Sequence, residues 1–360
     1  MMAWAKRLLS RLLSAAFPRK KPGQQKEGVP AEGASGRLRV LSCLEGRADD
    51  DPLVAAIRAD MAGKSSVLEL VKSYVQELQG ESDSHAPPFA KLAKLFQCGM
   101  TPDRVEGHHY GVAVALRAGG GGGVGADYGN LLGLVWSTSL GKVSPWVGKT
   151  FEPASRNQLQ LLTEGYERGQ VPTYAGINHF NEVPDSPLNI VSVVFLTFWM
   201  HLKDAPADET ARYGYEKVGG HFIARRAPSV YRGSPREVIQ LNYRWPKLGN
   251  LPPLRYLIDE IVEMADGLYL GQLVFATRRL LSAYDPRLPD AEYGYEHFGY
   301  FVVMDGRWEV EARRLFPHIG VPVAARPQPL PRPEKLTSLT FADPPDGNCD
   351  DRLLAELHED

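Results

Sequence analysis

The spacing of apolar residues changes near residue 101, and this change predicts how the chain is organised. Between residues 51 and 99 apolar side chains recur three and four positions apart, which is the pattern of amphipathic helices. We therefore predict three helices, forming a small helical cap over residues 38–100. The residues that signal the helix starts are Asp51 with Pro52, Ser65 or Ser66, and Pro87 with Pro88.

From Gly107 onwards the apolar period is two, because Tyr110, Val112 and Val114 alternate with small residues. Tyr256–Met264 is compatible with a helix or a strand. No alternation of strands and helices indicates a parallel sheet. The predicted fold is mainly β (α+β), an antiparallel barrel or strongly curled sheet of roughly eight to ten strands over residues 101–317. Its further strands are predicted at 131–137, Asn189–Leu202, Gly219–Arg226, Glu237–Tyr243, Gly267–Thr277 and His297–Met304.

One four-residue phrase occurs twice in the barrel region. Tyr213-Gly214-Tyr215-Glu216 returns 80 positions later as Tyr293-Gly294-Tyr295-Glu296. This repeat predicts two similar corners. If both corners faced one cavity, Glu216 and Glu296 could act as an acid/base pair in a lyase or isomerase. The alternative is turn chemistry, in which glycine permits the bend and the glutamates are solvated. The sequence leaves open whether the protein is an enzyme.

A second motif resembles a known family. Residues 144–151, Ser-Pro-Trp-Val-Gly-Lys-Thr-Phe, resemble the Trp-x-Gly-Lys-x-Phe signature of lipocalin-like bacterial domains of the GxWxG type. Asp259-Glu260, followed by residues 267–271, is similar to a late strand of such barrels. The resemblance covers about a third of the chain and departs at Ser144, where the family has glycine. It implies a lipocalin-like β-barrel with an apolar interior and mostly no assigned activity.

This resemblance and the aromatic content of the strands suggest a ligand site. Trp146 could seat a planar apolar ligand while Lys149 holds an anionic headgroup at the barrel mouth, or Trp146 could simply plug one end. The near-continuous apolar run Val191–Met200 predicts core or cavity lining. The predicted ligand-binding residues are Trp146, Lys149, Phe151, Phe195, Phe198, Trp199, Tyr215, Tyr269, Tyr295 and Phe301.

Two further pairs of polar residues are candidate sites. On a strand, only one residue of His108-His109 can face inward, and no metal-ligand spacing accompanies them, so no metal and no cofactor is predicted. Likewise, on a strand one carboxylate of Asp259-Glu260 would face in and the other out, whereas on a helix both would lie near the surface. An inward Asp259 could bond a nearby arginine and be structural. The arginines in question are Arg244 and Arg255.

Several function classes lack support. Net charge is −2, which gives no sign of a nucleic-acid partner. The three cysteines are far apart, so neither structural zinc nor a disulfide framework is predicted. The polyglycine run at residues 119–123 lacks the Lys-Ser/Thr of a phosphate loop, and no nucleophile elbow occurs.

The two ends of the chain differ from its middle. Residues 1–21 predict a basic amphipathic helix that could lie on an anionic membrane; a cleaved targeting signal or an inert tail are the alternatives. A flexible linker over residues 22–37 and a Pro-rich, acidic, disordered tail over residues 318–360 are predicted. We expect a cytoplasmic protein, peripheral on the inner membrane face, that binds a hydrophobic or amphipathic small molecule in its barrel. The alternatives are the Glu216/Glu296 enzyme and a structural or partner-docking protein.

Overall fold

The structure, a computed structural model, describes residues 37–47, 50–78, 86–116, 146–167, 171–181, 201–231 and 236–316. The helices are α1 Pro52–Met61, α2 Val67–Leu78, α3 Pro87–Cys98, α4 Arg156–Leu162, α5 Ala207–Tyr213, α6 Asp290–Tyr293 and α7 Glu309–Leu315. The strands are β1 Gly107–Leu116, β2 Trp146–Pro153, β3 Thr173–Phe180, β4 Lys203–Asp204, β5 Lys217–Pro228, β6 Glu237–Asn242, β7 Leu257–Ala265, β8 Leu268–Ala276 and β9 Tyr295–Met304.

The sheet closes on itself. Its strand order is β3-β2-β1-β9-β8-β7-β6-β5-β4, and an additional pairing of β3 with β5 closes eight strands into a barrel. Every pairing is antiparallel, and the two-residue β4 is an appendage on β5. The predicted antiparallel barrel is therefore confirmed, and the ambiguous segment Tyr256–Met264 is strand β7. The strands predicted at 131–137 and over most of Asn189–Leu202 lie outside the described residues.

The predicted helices form, and they pack on the outside of the barrel wall. Asp51 caps α1 by accepting hydrogen bonds from the backbone of Leu53 and Val54 at 2.9 and 3.3 Å. The apolar faces of α1, α2, α3 and α7 share one core with the outward residues of β1, β7, β8 and β9, such as Val112 and Val262. The helical layer thus covers the outer wall.

Aromatic rings fill the inside of the barrel over inward-facing glycines. A Cβ added to Gly111 would overlap the ring of Trp146, and one on Gly271 would overlap the ring of Phe301. Gly176 stands in the same relation to Phe222. Each glycine removes a side chain from one strand so that a ring from another strand takes the space.

The repeated phrase is one structural device used twice. Helices α5 and α6 are each followed by a glycine with left-handed backbone, Gly214 (φ 87°) and Gly294 (φ 60°). Strand β9 begins at the residue after Gly294, and β5 begins three residues after Gly214. Both corners lie at the end of the barrel where β1, β3, β6 and β8 end, which we call the long-loop end.

Candidate functional site

A buried lysine lies at the centre of a polar network inside the barrel. Lys149 on β2 contacts Asn178 Oδ1 on β3 at 2.6 Å, the Tyr243 hydroxyl after β6 at 2.6 Å, and Asp259 Oδ2 on β7 at 2.9 Å. Strand alternation points these side chains inward, since Lys149 pairs with Asn178 across neighbouring strands. A lysine ammonium has three hydrogens, so these three acceptors use its donors completely.

The network is desolvated and surrounded by rings. The Lys149 and Asp259 side chains are each 3% exposed. The ammonium lies 5.2–5.3 Å from the ring centres of Trp146, Phe222, Tyr243 and Phe301. Burial lowers the pKa of Lys149, against the opposing effect of the Asp259 carboxylate. Burial, together with Asp259, raises the pKa of Tyr243 well above its usual value, so the phenol is neutral.

This geometry corrects the predicted role of Lys149. The sequence placed it at the barrel mouth, free to meet an anionic headgroup. It lies instead inside the barrel wall with its donors committed to Asp259, Tyr243 and Asn178. The structural partner expected for Asp259 was an arginine, and the actual partner is this lysine, because inward register brings β2 and β7 residues together across the barrel.

The predicted lining residues inside the barrel fill it. Trp146 is 6% exposed and donates from Nε1 to Asn178 Oδ1 at 3.2 Å. Its ring makes an edge contact with Phe301 at 5.6 Å between centroids. Phe151 and Tyr269 are also buried, on either side of the inward His109. A chamber at this level would leave its lining accessible, so the prediction that Trp146, Phe151, Tyr269 and Phe301 line a ligand cavity was wrong here.

Accessible space remains nearer the long-loop end. Three inward-facing apolar residues are partly exposed there: Ala113, Leu257 and Leu273. Their register indicates that they face inward, because directly paired strand residues share one face of the sheet. Ala113 pairs with Phe301, whose ring fills the interior, Leu273 pairs with Asp259, and Leu257 pairs with the buried Phe275. We call the space bordered by these three residues the mouth. Apolar side chains of the adjoining connections pack against the same interior cluster: Leu202, Leu280 and Leu288.

The two glutamates proposed as an acid/base pair are both exposed. Glu216 lies just before β5, where its backbone N–H donates to the Phe180 carbonyl at 3.0 Å, and Glu296 is the second residue of β9. An acid/base role needs at least one of them inside a cavity, where burial would shift its pKa. The enzyme hypothesis on these residues therefore loses its basis, and the turn interpretation fits both corners.

The tyrosines of the first corner lie on the outer face of the barrel. Tyr215 stacks on His179 at 3.8 Å between centroids, and Tyr213 stacks on His108 at 4.1 Å. His179 faces outward because its neighbour Asn178 faces inward. The prediction that Tyr215 lines the cavity was therefore wrong. As expected, only one residue of His108-His109 faces in.

The same cluster holds histidines with unsatisfied ring nitrogens. His179 is fully buried, and neither its ring nitrogens nor those of the half-buried His108 have a hydrogen-bond partner in the described part of the chain. Burial lowers the pKa of both imidazoles well below the usual value. No group of three or more His, Cys, Asp or Glu side chains in the described ranges could hold a metal ion.

The two tyrosines of the second corner, together with Tyr284, surround Arg244. The sequence suggested this arginine only as a partner of Asp259. The guanidinium carbon of Arg244 lies 4.0 Å from the ring centre of Tyr293, 4.8 Å from Tyr284 and 5.4 Å from Tyr295. Arg244 Nη1 donates to the Tyr295 hydroxyl. Burial raises the pKa of Tyr284 to about 12. Tyr295, predicted to bind ligand, is thus partly exposed and forms one side of the Arg244 site.

The pair Asp259-Glu260 behaves as the strand pattern predicts. Asp259 faces in, and Glu260 faces out, where it accepts from Ser229 Oγ at 2.7 Å, the Val230 backbone at 2.6 Å and Gln272 Nε2 at 2.6 Å. Both carboxylates are thus held by the fold, which favours structural roles for them.

The remaining predictions concern other parts of the chain. Phe195, Phe198 and Trp199 lie outside the described residues, as do residues 1–21. Comparison of the chain with protein-family models, curated proteins and solved structures found no match. The lipocalin-like resemblance therefore stays a prediction. Among the described helices, none combines the length and apolarity needed to cross a membrane.

Proposed function

We propose that this protein binds a hydrophobic or amphipathic small molecule at the mouth of its barrel. The observation that carries the proposal is the partial exposure of Ala113, Leu257 and Leu273, which face inward while the interior beneath them is buried. Inward apolar surface left accessible at one end of a closed barrel is typical of small-molecule sites.

The filled interior gives this site a firm floor. The Lys149 network ties β2, β3, β7 and the segment after β6 together, and Trp146 and Phe301 pack beside it. A preorganised floor lowers the cost of ordering the site on binding. Burial of about 200 Å² of ligand and wall would contribute about 5 kcal/mol before ordering costs.

The first test is whether purified protein carries a ligand. Extraction into organic solvent followed by mass spectrometry should recover a lipid-like molecule at a stoichiometric level. Leu273→Trp should fill the mouth and abolish that recovery. Leu281→Trp makes the same change at a fully exposed position and should leave it unaltered. Equal recovery from both variants would remove the mouth as the site.

The proposal includes a location at the cytoplasmic face of a membrane, supported by the basic amphipathic sequence of residues 1–21. Flotation with anionic liposomes tests it. Full-length protein should float, and the variant with four leucines changed to serine should not. Equal flotation of both would refute the membrane helix. The changed leucines are Leu8, Leu9, Leu12 and Leu13.

A further inference from the structure

Arg244 is a buried cation without a counter-ion in direct contact. It is 4% exposed, and none of the ion pairs among the described residues involves it. Its only side-chain hydrogen bond goes to the Tyr295 hydroxyl, and its Nε is buried without an acceptor in the described part of the chain. A buried charge normally has a paired anion and filled donors.

The tyrosine rings compensate for this burial only in part. Three rings attract the guanidinium, at 4.0–5.4 Å from its central carbon. Rings offer no in-plane acceptor, so they cannot replace hydrogen bonds to the N–H groups. The Arg244 charge acts on Asp290, where it opposes the burial that raises the pKa of this carboxyl. Asp290 is nevertheless exposed and forms no ion pair with Arg244. The guanidinium therefore has N–H donors left for an external acceptor.

The arginine site lies at the same end of the barrel as the mouth. Tyr295 is the first residue of β9, and the next residue, Glu296, pairs with Phe275, which in turn pairs with Leu257 of the mouth. Strand alternation therefore turns Tyr295 towards the outer face, where it also packs against the cluster of Ile258 and Val274. Tyr284 and Tyr295 pack against the same interior cluster as Leu257 and Leu273. A ligand with its apolar part on these leucines therefore meets the tyrosines that surround Arg244 where its polar end crosses the rim of the barrel.

We propose that Arg244 binds the anionic headgroup of the ligand, a carboxylate or phosphate, with the Tyr295 hydroxyl as a second donor. This inference rests on the proposed ligand-binding function. It transfers to Arg244 the role that the sequence gave to Lys149, whose three donors are already used. A planar guanidinium suits two-oxygen acceptors.

The test compares two probes that share a tail and differ in charge, decanoate and decan-1-ol, by calorimetric titration at pH 7.5. Wild type should bind decanoate at least about ten-fold more tightly, because hydrogen bonds to charged groups contribute that much. Arg244→Gln should lose the preference and still bind decan-1-ol. Arg279→Gln is the matched control, because Arg279 lies in the β8–β9 connection but pairs with Glu292, and it should keep the preference.

The outcomes separate the two proposals. If wild type binds neither probe, the ligand-binding function itself fails. If it binds both equally, or if Arg244→Gln keeps the preference for decanoate, the function stands and the role of Arg244 is overturned. Tyr295→Phe keeps the ring and removes only the hydroxyl, so it covers the case in which Arg244→Gln does not fold. It should reduce the preference for decanoate in part. An unchanged preference for decanoate would count against the site.

Discussion

Replacing Lys149 by methionine tests whether the polar network inside the barrel is a closed structural unit. Methionine keeps a long apolar stem and removes the charge. The change leaves the Asp259 carboxylate 3% exposed, facing aromatic rings, with its ammonium partner gone. Tyr243 and Asn178 lose the same donor. The result is an uncompensated charge in a dry interior.

The expected cost follows from that environment. Removing one partner of a buried ion pair costs about 3–5 kcal/mol, because the other charge stays buried and unpaired. In a domain of this size that corresponds to a fall in melting temperature of roughly 6–20 °C. Removing both charges should cost much less, since the hydroxyl of Tyr243 and the amide of Asn178 still contact each other at 3.3 Å. Lys149→Met with Asp259→Leu should lie within about 1–2 kcal/mol of wild type.

The assay is urea unfolding of wild type, the two single variants and the double variant, analysed as a double-mutant cycle. Lys217→Met is the matched control, because it removes a lysine from a surface pair with Asp204, whose side chain is 86% exposed. That change should cost less than about 1 kcal/mol. A Lys149→Met penalty no larger than the Lys217→Met penalty, or strictly additive single effects, would refute the description of the network as a desolvated pair.

Two further predictions concern the packed interior and the outer histidine cluster. Gly271→Ala places a Cβ against the Phe301 ring and should destabilise the fold by about 1–3 kcal/mol in urea unfolding. Gly306→Ala is the control and should be near neutral, because a Cβ there meets nothing within 4 Å. Equal effects of the two changes would contradict the packing of rings over glycines. Burial lowers the folded-state pKa of His179, so the unfolded chain binds more protons below about pH 6.5 and stability should fall as the pH drops from there, by at most about 1.4 kcal/mol per pH unit for this residue. His179→Phe should flatten the stability profile between pH 7.5 and 5.5, and an unchanged slope would show that His179 is not the group responsible.

The fold was more predictable than the site, for a physical reason. Alternation with period two depends on local sequence, so it gave most of the barrel strands, including β1, and the closure followed from their number. Whether the interior is hollow depends on pairs of residues on different strands. Gly111 and Trp146 are 35 positions apart, and nothing local to either one indicates that the ring fills the space above the glycine.

The repeat shows the same limit in another form. The sequence correctly indicates two equivalent corners, because a left-handed glycine after a short helix is a local requirement at Gly214 and Gly294. What each corner encloses depends on a distant residue, His179 in one case and Arg244 in the other. The doubled tyrosines could have pointed to Arg244 as a signal, since rings flanking a glycine turn are suited to holding a cation.

The contrast between the two buried cations favours the rim of the barrel, rather than its middle, for the proposed ligand site. Lys149 and Arg244 are both withdrawn from water, yet Lys149 has an acceptor for every hydrogen while Arg244 has a ring on three sides and one hydroxyl. Folding alone explains a satisfied charge, because the network holds four segments together. An unsatisfied one lowers stability and needs another reason to persist. Since Arg244 lies at the same long-loop end as the inward apolar surface that the described strands leave partly exposed, we propose that a bound anion supplies that reason.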